Sequence, residues 1–201
     1  MRRTTGALAD FDCTSTLSIE ASVGDGRLEK GEAMELQIRP YQADDIKAMV
    51  RIWNEVVEAG DAFPQVTPLT EQNADEFFSA QTATMVADVN GIIFGMYILH
   101  PNSIGRCAHI ANASFAVASA SRGLGLGRKL VENCIETCGK KGFRGLQFNA
   151  VVASNVSAQH LYESIGFTKV GKIPGGFING LGGYEDIFIY YIDTLDASQP
   201  C

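Results

Sequence analysis

Arg122-Gly123-Leu124-Gly125-Leu126-Gly127-Arg128-Lys129 is the stretch on which the fold turns. A strand-like segment, residues 109–119, precedes it. The helical segment that follows, residues 124–141, puts Leu126, Leu130, Val131, Cys134, Ile135 and Cys138 on one face. Glycines at alternate positions free the backbone to turn sharply. They let several amide N–H groups converge where a helix dipole is also positive, a site suited to phosphate or pyrophosphate. A nucleotide P-loop requires G-x-x-x-x-G-K followed by Ser or Thr; here Arg128 precedes Lys129 and Leu130 follows it. A dinucleotide fingerprint requires G-x-G-x-x-G near the start of the fold; here the third glycine comes one residue early and the strand is a late one. Two readings remain: a tight turn at a glycine helix start, or an R-x-x-G-x-G cradle formed by Arg122, Gly125 and Gly127.

Working outward, strands and helices alternate. Met34-Glu-Leu-Gln-Ile-Arg-Pro40 alternates as a short strand. Residues 43–59 carry Ile46, Met49, Val50, Trp53, Val56 and Val57 at helical spacing, and Gly60 ends that helix. Residues 70–80 form a second helix capped by Thr70. Segments 84–89 and 92–100 meet at Asn90-Gly91, a hairpin turn. Residues 145–152 make a fifth strand, 154–165 a short helix, and 167–173 and 184–193 the last two strands around a glycine-rich connection. The expected class is mixed α/β: one mostly antiparallel sheet of six to seven strands, flanked by about four helices. Residues 1–33 look different. The part from Thr14 to Lys30 is rich in Ser, Thr, Gly and charge, so a flexible extension is expected over 1–33 and the domain over 34–201.

Composition narrows the function. The 201 residues are 46% apolar and 19% charged, enough for a real core. Sixteen Lys and Arg stand against 23 Asp and Glu, a net charge of −7, so nucleic acid is disfavoured as a partner. No apolar run approaches the ~20 residues of a membrane span, and the acidic residues Asp10 and Asp12 interrupt any signal-like start. The 21 glycines exceed the usual ~7%; three lie in the loop and six between Gly171 and Gly183. Cys13, Cys107, Cys134, Cys138 and Cys201 lack metal spacing. Cys134 and Cys138, one helical turn apart, read as small apolar packing in a reduced, cytoplasmic protein without metal.

The loop followed by Asn155-x-x-Ala158-x-x-Leu161-Tyr162-x-x-x-Gly166-Phe167, with Ile38-Arg39-Pro40 at the start, resembles the GCN5-related N-acetyltransferase (GNAT) family. The resemblance covers nearly all of residues 34–194 and implies the acyl-CoA N-acyltransferase fold, with the fourth and fifth expected strands splayed. It implies acetyl-CoA as co-substrate. The pyrophosphate would lie on the backbone amides of Gly123, Leu124, Gly125, Leu126, Gly127 and Arg128, beside the Arg122 side chain, and the pantetheine along Ala116, Val117 and Ala118. A homodimer is common in the family.

Shorter strings point to one branch. His109-Ile-Ala-Asn112-Ala-Ser-Phe115, Phe148-Asn149-x-Val151-x-x-x-Asn155 and Pro174-x-x-x-Ile178-Asn179-Gly180 resemble the yeast acetyltransferase branch acting on azetidine-2-carboxylate, a proline analogue. This implies a small amino or imino acid, such as azetidine-2-carboxylate or a hydroxyproline, as acceptor, with Asn112, Asn149 and Asn155 functional. An Asn side chain offers donor and acceptor to a developing oxyanion without adding charge. Tyr162 stands where many members carry a tyrosine that protonates the departing thiolate, whereas that branch has tryptophan. Phe63, Arg106 and Asn179 join Asn112 and Asn149 as candidate acceptor-site residues. The alternatives are another amine, such as phosphinothricin, a polyamine or a protein N-terminus, or a CoA-binding sensor without catalysis. An imino acid with a pKa near 10 is about one part in a thousand neutral at pH 7, a penalty of roughly 4 kcal/mol. No glutamate or histidine stands out to take its proton.

Overall fold

The computed structural model describes residues 14–24 and 27–194. Eight strands and four α-helices follow in the order β1 (Ser15–Gly24), β2 (Arg27–Pro40), α1 (Ile46–Ala59), α2 (Glu71–Ser79), β3 (Ala83–Val89), β4 (Ile92–Pro101), β5 (Ile110–Val117), α3 (Leu126–Lys140), β6 (Gly145–Val152), α4 (Val156–Ile165), β7 (Thr168–Ile178) and β8 (Tyr184–Asp193). One sheet holds all eight strands in the order β1-β2-β3-β4-β5-β6-β8-β7. Every neighbouring pair is antiparallel except β5 and β6. The mixed class and the splayed pair are as expected. No helix among the described residues is long and apolar enough to cross a membrane.

The strand count corrects the expected six to seven, and the extra strand comes from the segment set aside as an extension. Leu17, Ile19, Ala21 and Val23 alternate with polar residues along β1, and Ile19, Ala21 and Leu28 are buried in the main core. β2 likewise starts at Arg27, not Met34. Two polar contacts fasten this hairpin to the rest. Asn133 Nδ2 of α3 donates to Ser15 Oγ at 2.9 Å, and the Leu28 N–H points to Ser121 Oγ at 3.4 Å. Residues 1–13 of the expected extension lie outside the described residues, as do Cys13 and Cys201.

Two apolar layers sandwich the sheet. Met49, Ile52, Trp53, Val56 and Val57 of α1 pack with Ala74 and Phe78 of α2 against Val86, Ile93, Met96 and Ile98. On the other face Leu126, Leu130, Val131, Cys134 and Cys138 of α3 pack against Phe94, Tyr97, Leu99 and Leu146. β4 is therefore covered on both faces and reads as a near-continuous apolar run. Cys134 and Cys138 are buried thiols inside this packing, as their spacing suggested. The Tyr97 hydroxyl donates to Asn133 Oδ1 at 2.8 Å and lies 3.0 Å from Thr137 Oγ1, so the buried polar groups of α3 are satisfied.

One ion cluster joins the start of α1 to the sheet. Arg39 of β2 reaches both carboxylate oxygens of Asp45, at 2.7 and 3.0 Å, and donates twice to Asp88 Oδ2. Burial alone would raise the Asp45 pKa; the Arg39 guanidinium and the Gln42 N–H outweigh it and hold the carboxyl below its ordinary value. A depressed carboxyl pKa stabilises the fold above the unfolded value of about 4, and that stability drains away as pH falls through the folded value. Asp45→Asn is accordingly expected to lower Tm at pH 7. The gap from the native protein should close as pH falls below about 4 in thermal melts across pH.

Candidate active site

β5 and β6 touch only at their first residues. Ile110 pairs with Gly145 and Ala111 with Leu146, after which the two strands run apart to Val117 and Val152. The gap opens a cavity of about 1040 Å³. Its wall includes Val131, Leu161 and Tyr162 from the α3–α4 layer and Val56, Ala62 and Phe63 from the α1–α2 layer. The cavity therefore lies in the gap of the sheet and is walled by both layers. Two substrates can meet in it.

The glycine loop borders one end. Gly123 and Gly125 adopt φ of 84° and 78°, left-handed values that side chains resist, and Gly125 caps α3. A Cβ at either position would meet nothing within 4 Å, so these backbones face open space. The first turn of a helix lacks intrahelical acceptors for its N–H groups. Lys129 N–H bonds back to the Gly125 carbonyl at 3.3 Å, leaving the amides of Leu126, Gly127 and Arg128 at the positive end of the helix dipole. An anion fits there, and Arg122 stands on the cavity wall beside it.

The two strands contribute one asparagine each. Asn112, half-buried, lies on β5 opposite His100, and Asn149 on β6. Phe148 pairs with Tyr190 and Val151 with Phe188, so Asn149 and Ala150 form a bulge. Bulges re-aim side chains, and this one falls where the strand leaves β5. The Asn149 amide is held from both sides: Nδ2 donates to Asn102 Oδ1, and Oδ1 accepts from Gln147 at 2.8 Å.

α4 supplies the remaining groups. Asn155 is its N-cap, with Oδ1 accepting from the Ala158 N–H at 3.1 Å. This satisfies a helix-end donor on a residue that lines the cavity. Tyr162 packs on Phe148 at 4.5 Å, Phe167 at 5.6 Å and Tyr190 at 5.9 Å. Burial, with smaller contributions from Cys134 and Tyr190, pushes its hydroxyl pKa well up, so the group stays protonated.

The cavity thus gathers Phe63, Asn112, Val117, Arg122, Gly123, Gly125, Leu126, Gly127, Asn149, Asn155 and Tyr162 from the expected set. Other expected residues stand elsewhere. Ala116 and Ala118 turn into the α1–α2 layer, and Leu124 packs into the α3 side of the core. The Arg128 side chain turns along the helix surface to Glu132, at 3.4 Å, and to Ser164, so only its backbone serves the loop. Arg106 is exposed on the turn Gly105–Cys107, away from the cavity wall. Asn179 is occupied locally: Oδ1 accepts from the Leu181 and Gly183 N–H groups at 3.1 and 2.9 Å, and Nδ2 donates to Glu185 at 2.8 Å. It shapes the β7–β8 turn. Asp61 and Ala62 also line the cavity and carried no signal beyond their place next to Phe63, whereas Pro64, on the same wall, belongs to the string Pro64-Gln65 that shares the family resemblance.

Known proteins share this fold. A profile of the acetyltransferase (GNAT) family matches residues 47–167. The N-acetyltransferase aca1 of Schizosaccharomyces pombe is 30% identical over 155 residues, covering 68% of this chain and 74% of the relative. The structure of a GCN5-related N-acetyltransferase from Kribbella flavida is 36% identical with a TM-score of 0.73, covering 79% of this chain and 97% of that one. A phosphinothricin acetyltransferase from Sinorhizobium meliloti, solved in complex with AcCoA, shares the fold at a TM-score of 0.74 and 22% identity, covering 83% of this chain and 93% of that one. The splayed strands, the glycine loop and α4 all fall within residues 47–167, and the chain belongs to the acetyltransferase (GNAT) family.

Proposed function

We propose that the protein transfers the acetyl group of acetyl-CoA to the nitrogen of a small amino or imino acid, by direct attack of the amine on the thioester. The observation that carries this reading is the cavity in the gap of the sheet between β5 and β6, with the amide-rich start of α3 on its wall and an asparagine on each strand. The amides of the glycine loop and Arg122 bind the pyrophosphate. Asn112 and Asn149 bracket the thioester carbonyl and donate to its oxygen as negative charge develops there. Asn155, fixed by its capping bond, steadies the pantetheine through Nδ2. Tyr162 donates its hydroxyl proton toward the departing sulfur. The strings around Asn112, Asn149 and Asn155 favour a proline analogue such as azetidine-2-carboxylate as acceptor.

A panel of azetidine-2-carboxylate, cis-4-hydroxyproline, phosphinothricin, a polyamine and an N-terminal peptide, read by release of the CoA thiol, tests the reading. Turnover of the two cyclic imino acids above the others is expected. CoA binding with no acetylation of any amine would instead mark a sensor. Asn149→Ala should lower kcat about tenfold or more with the acetyl-CoA KM nearly unchanged, as for loss of one oxyanion donor. An unchanged kcat removes Asn149 from the mechanism.

A further inference from the structure

We propose that Asp61 receives the ammonium group of the acceptor and so selects amines that arrive as cations or zwitterions over anionic ones; the proposal rests on the acetyltransferase reading above. Among the described residues lining the cavity, Asp61 is the one carboxylate and Arg122 the one cation. They come from different segments of the wall. Arg122 precedes α3, whereas Asp61 follows α1 and adjoins Ala62 and Phe63 of the α1–α2 layer. The wall therefore carries one group of each sign, the positive one next to the glycine loop and the negative one on the segment that follows α1.

Asp61 is held in place by its neighbours. The Gly180 N–H donates to the Gly60 carbonyl at 2.8 Å, and a Cβ on Gly60 would come 2.8 Å from Gly180 Cα, so the two backbones are in contact. Two residues beyond Asp61, Phe63 is buried against Trp53 at 4.5 Å. A short segment pinned at both ends thus sets the exposed Asp61 on the cavity wall. Asp45, Asp88 and Asp186 spend their carboxylates on Arg39 or Lys172; no ion pair or hydrogen bond occupies that of Asp61 among the described residues. On the same loop the Gln65 Oε1 is buried without a donor. Gln65 is not on the cavity wall, so Asp61 is the acceptor that this loop offers there, with no cation beside it, which suits an ammonium and disfavours a second anion on the substrate.

The chemistry balances with Asp61 outside the bond-making. A secondary ammonium enters with two N–H protons. The new N–C bond forms as the C–S bond breaks, one proton ends on the CoA sulfur, and the other leaves to water at Asp61. Asp61 binds and orients the incoming group and is not consumed.

Steady-state kinetics of the native protein, Asp61→Asn and Asp61→Glu, with azetidine-2-carboxylate or whichever panel amine is turned over, test this at low and high ionic strength. Asp61→Asn is expected to raise the acceptor KM roughly three- to fivefold, with kcat and the acetyl-CoA KM within about 1.5-fold. Asp61→Glu should recover most of that loss. Added salt should raise the acceptor KM of the native protein and leave that of Asp61→Asn unchanged. Equal acceptor KM and equal salt response in the native protein and Asp61→Asn overturn the role of Asp61 alone. Absence of turnover of any amine by the native protein, with acetyl-CoA still bound, overturns the acetyltransferase reading and Asp61 with it.

Discussion

Tyr162→Phe is expected to lower kcat about 100-fold while leaving the acetyl-CoA KM within about twofold, the lower end of the range for loss of a positioned proton donor. The substitution removes one oxygen. The ring contacts with Phe148, Phe167 and Tyr190 depend on the aromatic face and survive, so α4 keeps its place in the core. What is lost is a hydroxyl whose pKa is pushed up by burial and by its neighbours Cys134 and Tyr190. Such a group carries its proton throughout the neutral range, and although the raised pKa makes it a weaker acid, it can hydrogen-bond the departing sulfur and pass the proton to a thiolate that is itself poorly solvated. A thiolate with an ordinary pKa near 8.5 leaves readily into water, but an apolar cavity wall of Val131, Leu161 and Phe148 solvates it poorly. A donor at the sulfur is then worth most in the transition state and little in the ground state, which is why kcat and not KM should move. Steady-state rates with thiol release measure both. A kcat within threefold of native would assign Tyr162 to packing alone.

The sequence made some of this legible and hid the rest, for physical reasons. The glycine loop was readable because left-handed backbone at positions 123 and 125 nearly demands glycine, so the conformation is written in the residue type. The Asn90-Gly91 hairpin was readable on the same ground, with φ of 53° and 80°. The β1–β2 hairpin was not. Its alternation of Leu17, Ile19, Ala21 and Val23 is diluted by serine, threonine and glycine, and what decides its place is contact with α3 and Ser121, about a hundred residues away. Arg106 and Asn179 show the opposite failure. Their side chains have the chemistry of ligand-binding groups, yet Asn179 spends its amide on its own turn and Arg106 stands outside the cavity. Asp61 was invisible because an acidic residue after a helix-ending glycine reads as solvated loop. Only the meeting of Gly60 with Gly180, 120 positions apart, brings that loop to the cavity.

Gly125→Val is expected to weaken acetyl-CoA binding about 100-fold or more while the protein still folds. Two effects act in the same direction. Gly125 sits at φ 78° as the cap of α3, and a β-branched residue resists that conformation by roughly 1–2 kcal/mol. If the backbone relaxes instead, the amides of Leu126, Gly127 and Arg128 swing away from the anion they are meant to meet. If it does not relax, the valine methyls project into the open space that a Cβ at 125 would face, which is where the proposed reading puts the pyrophosphate. Because that space holds no protein atom within 4 Å, nothing in the core is displaced. The loss of stability should therefore be limited to the backbone strain, a fall in Tm of about 2–8 °C for a domain of this size. Gly125→Asn separates the two effects, since asparagine tolerates left-handed backbone yet still places side-chain atoms in the cradle. It should keep nearly native Tm and lose binding mainly through bulk. Calorimetric titration with acetyl-CoA alongside thermal melts distinguishes the cases. Native affinity in Gly125→Val would move the pyrophosphate away from the start of α3, and the assignment of that end of the cavity to the cofactor would fall with it.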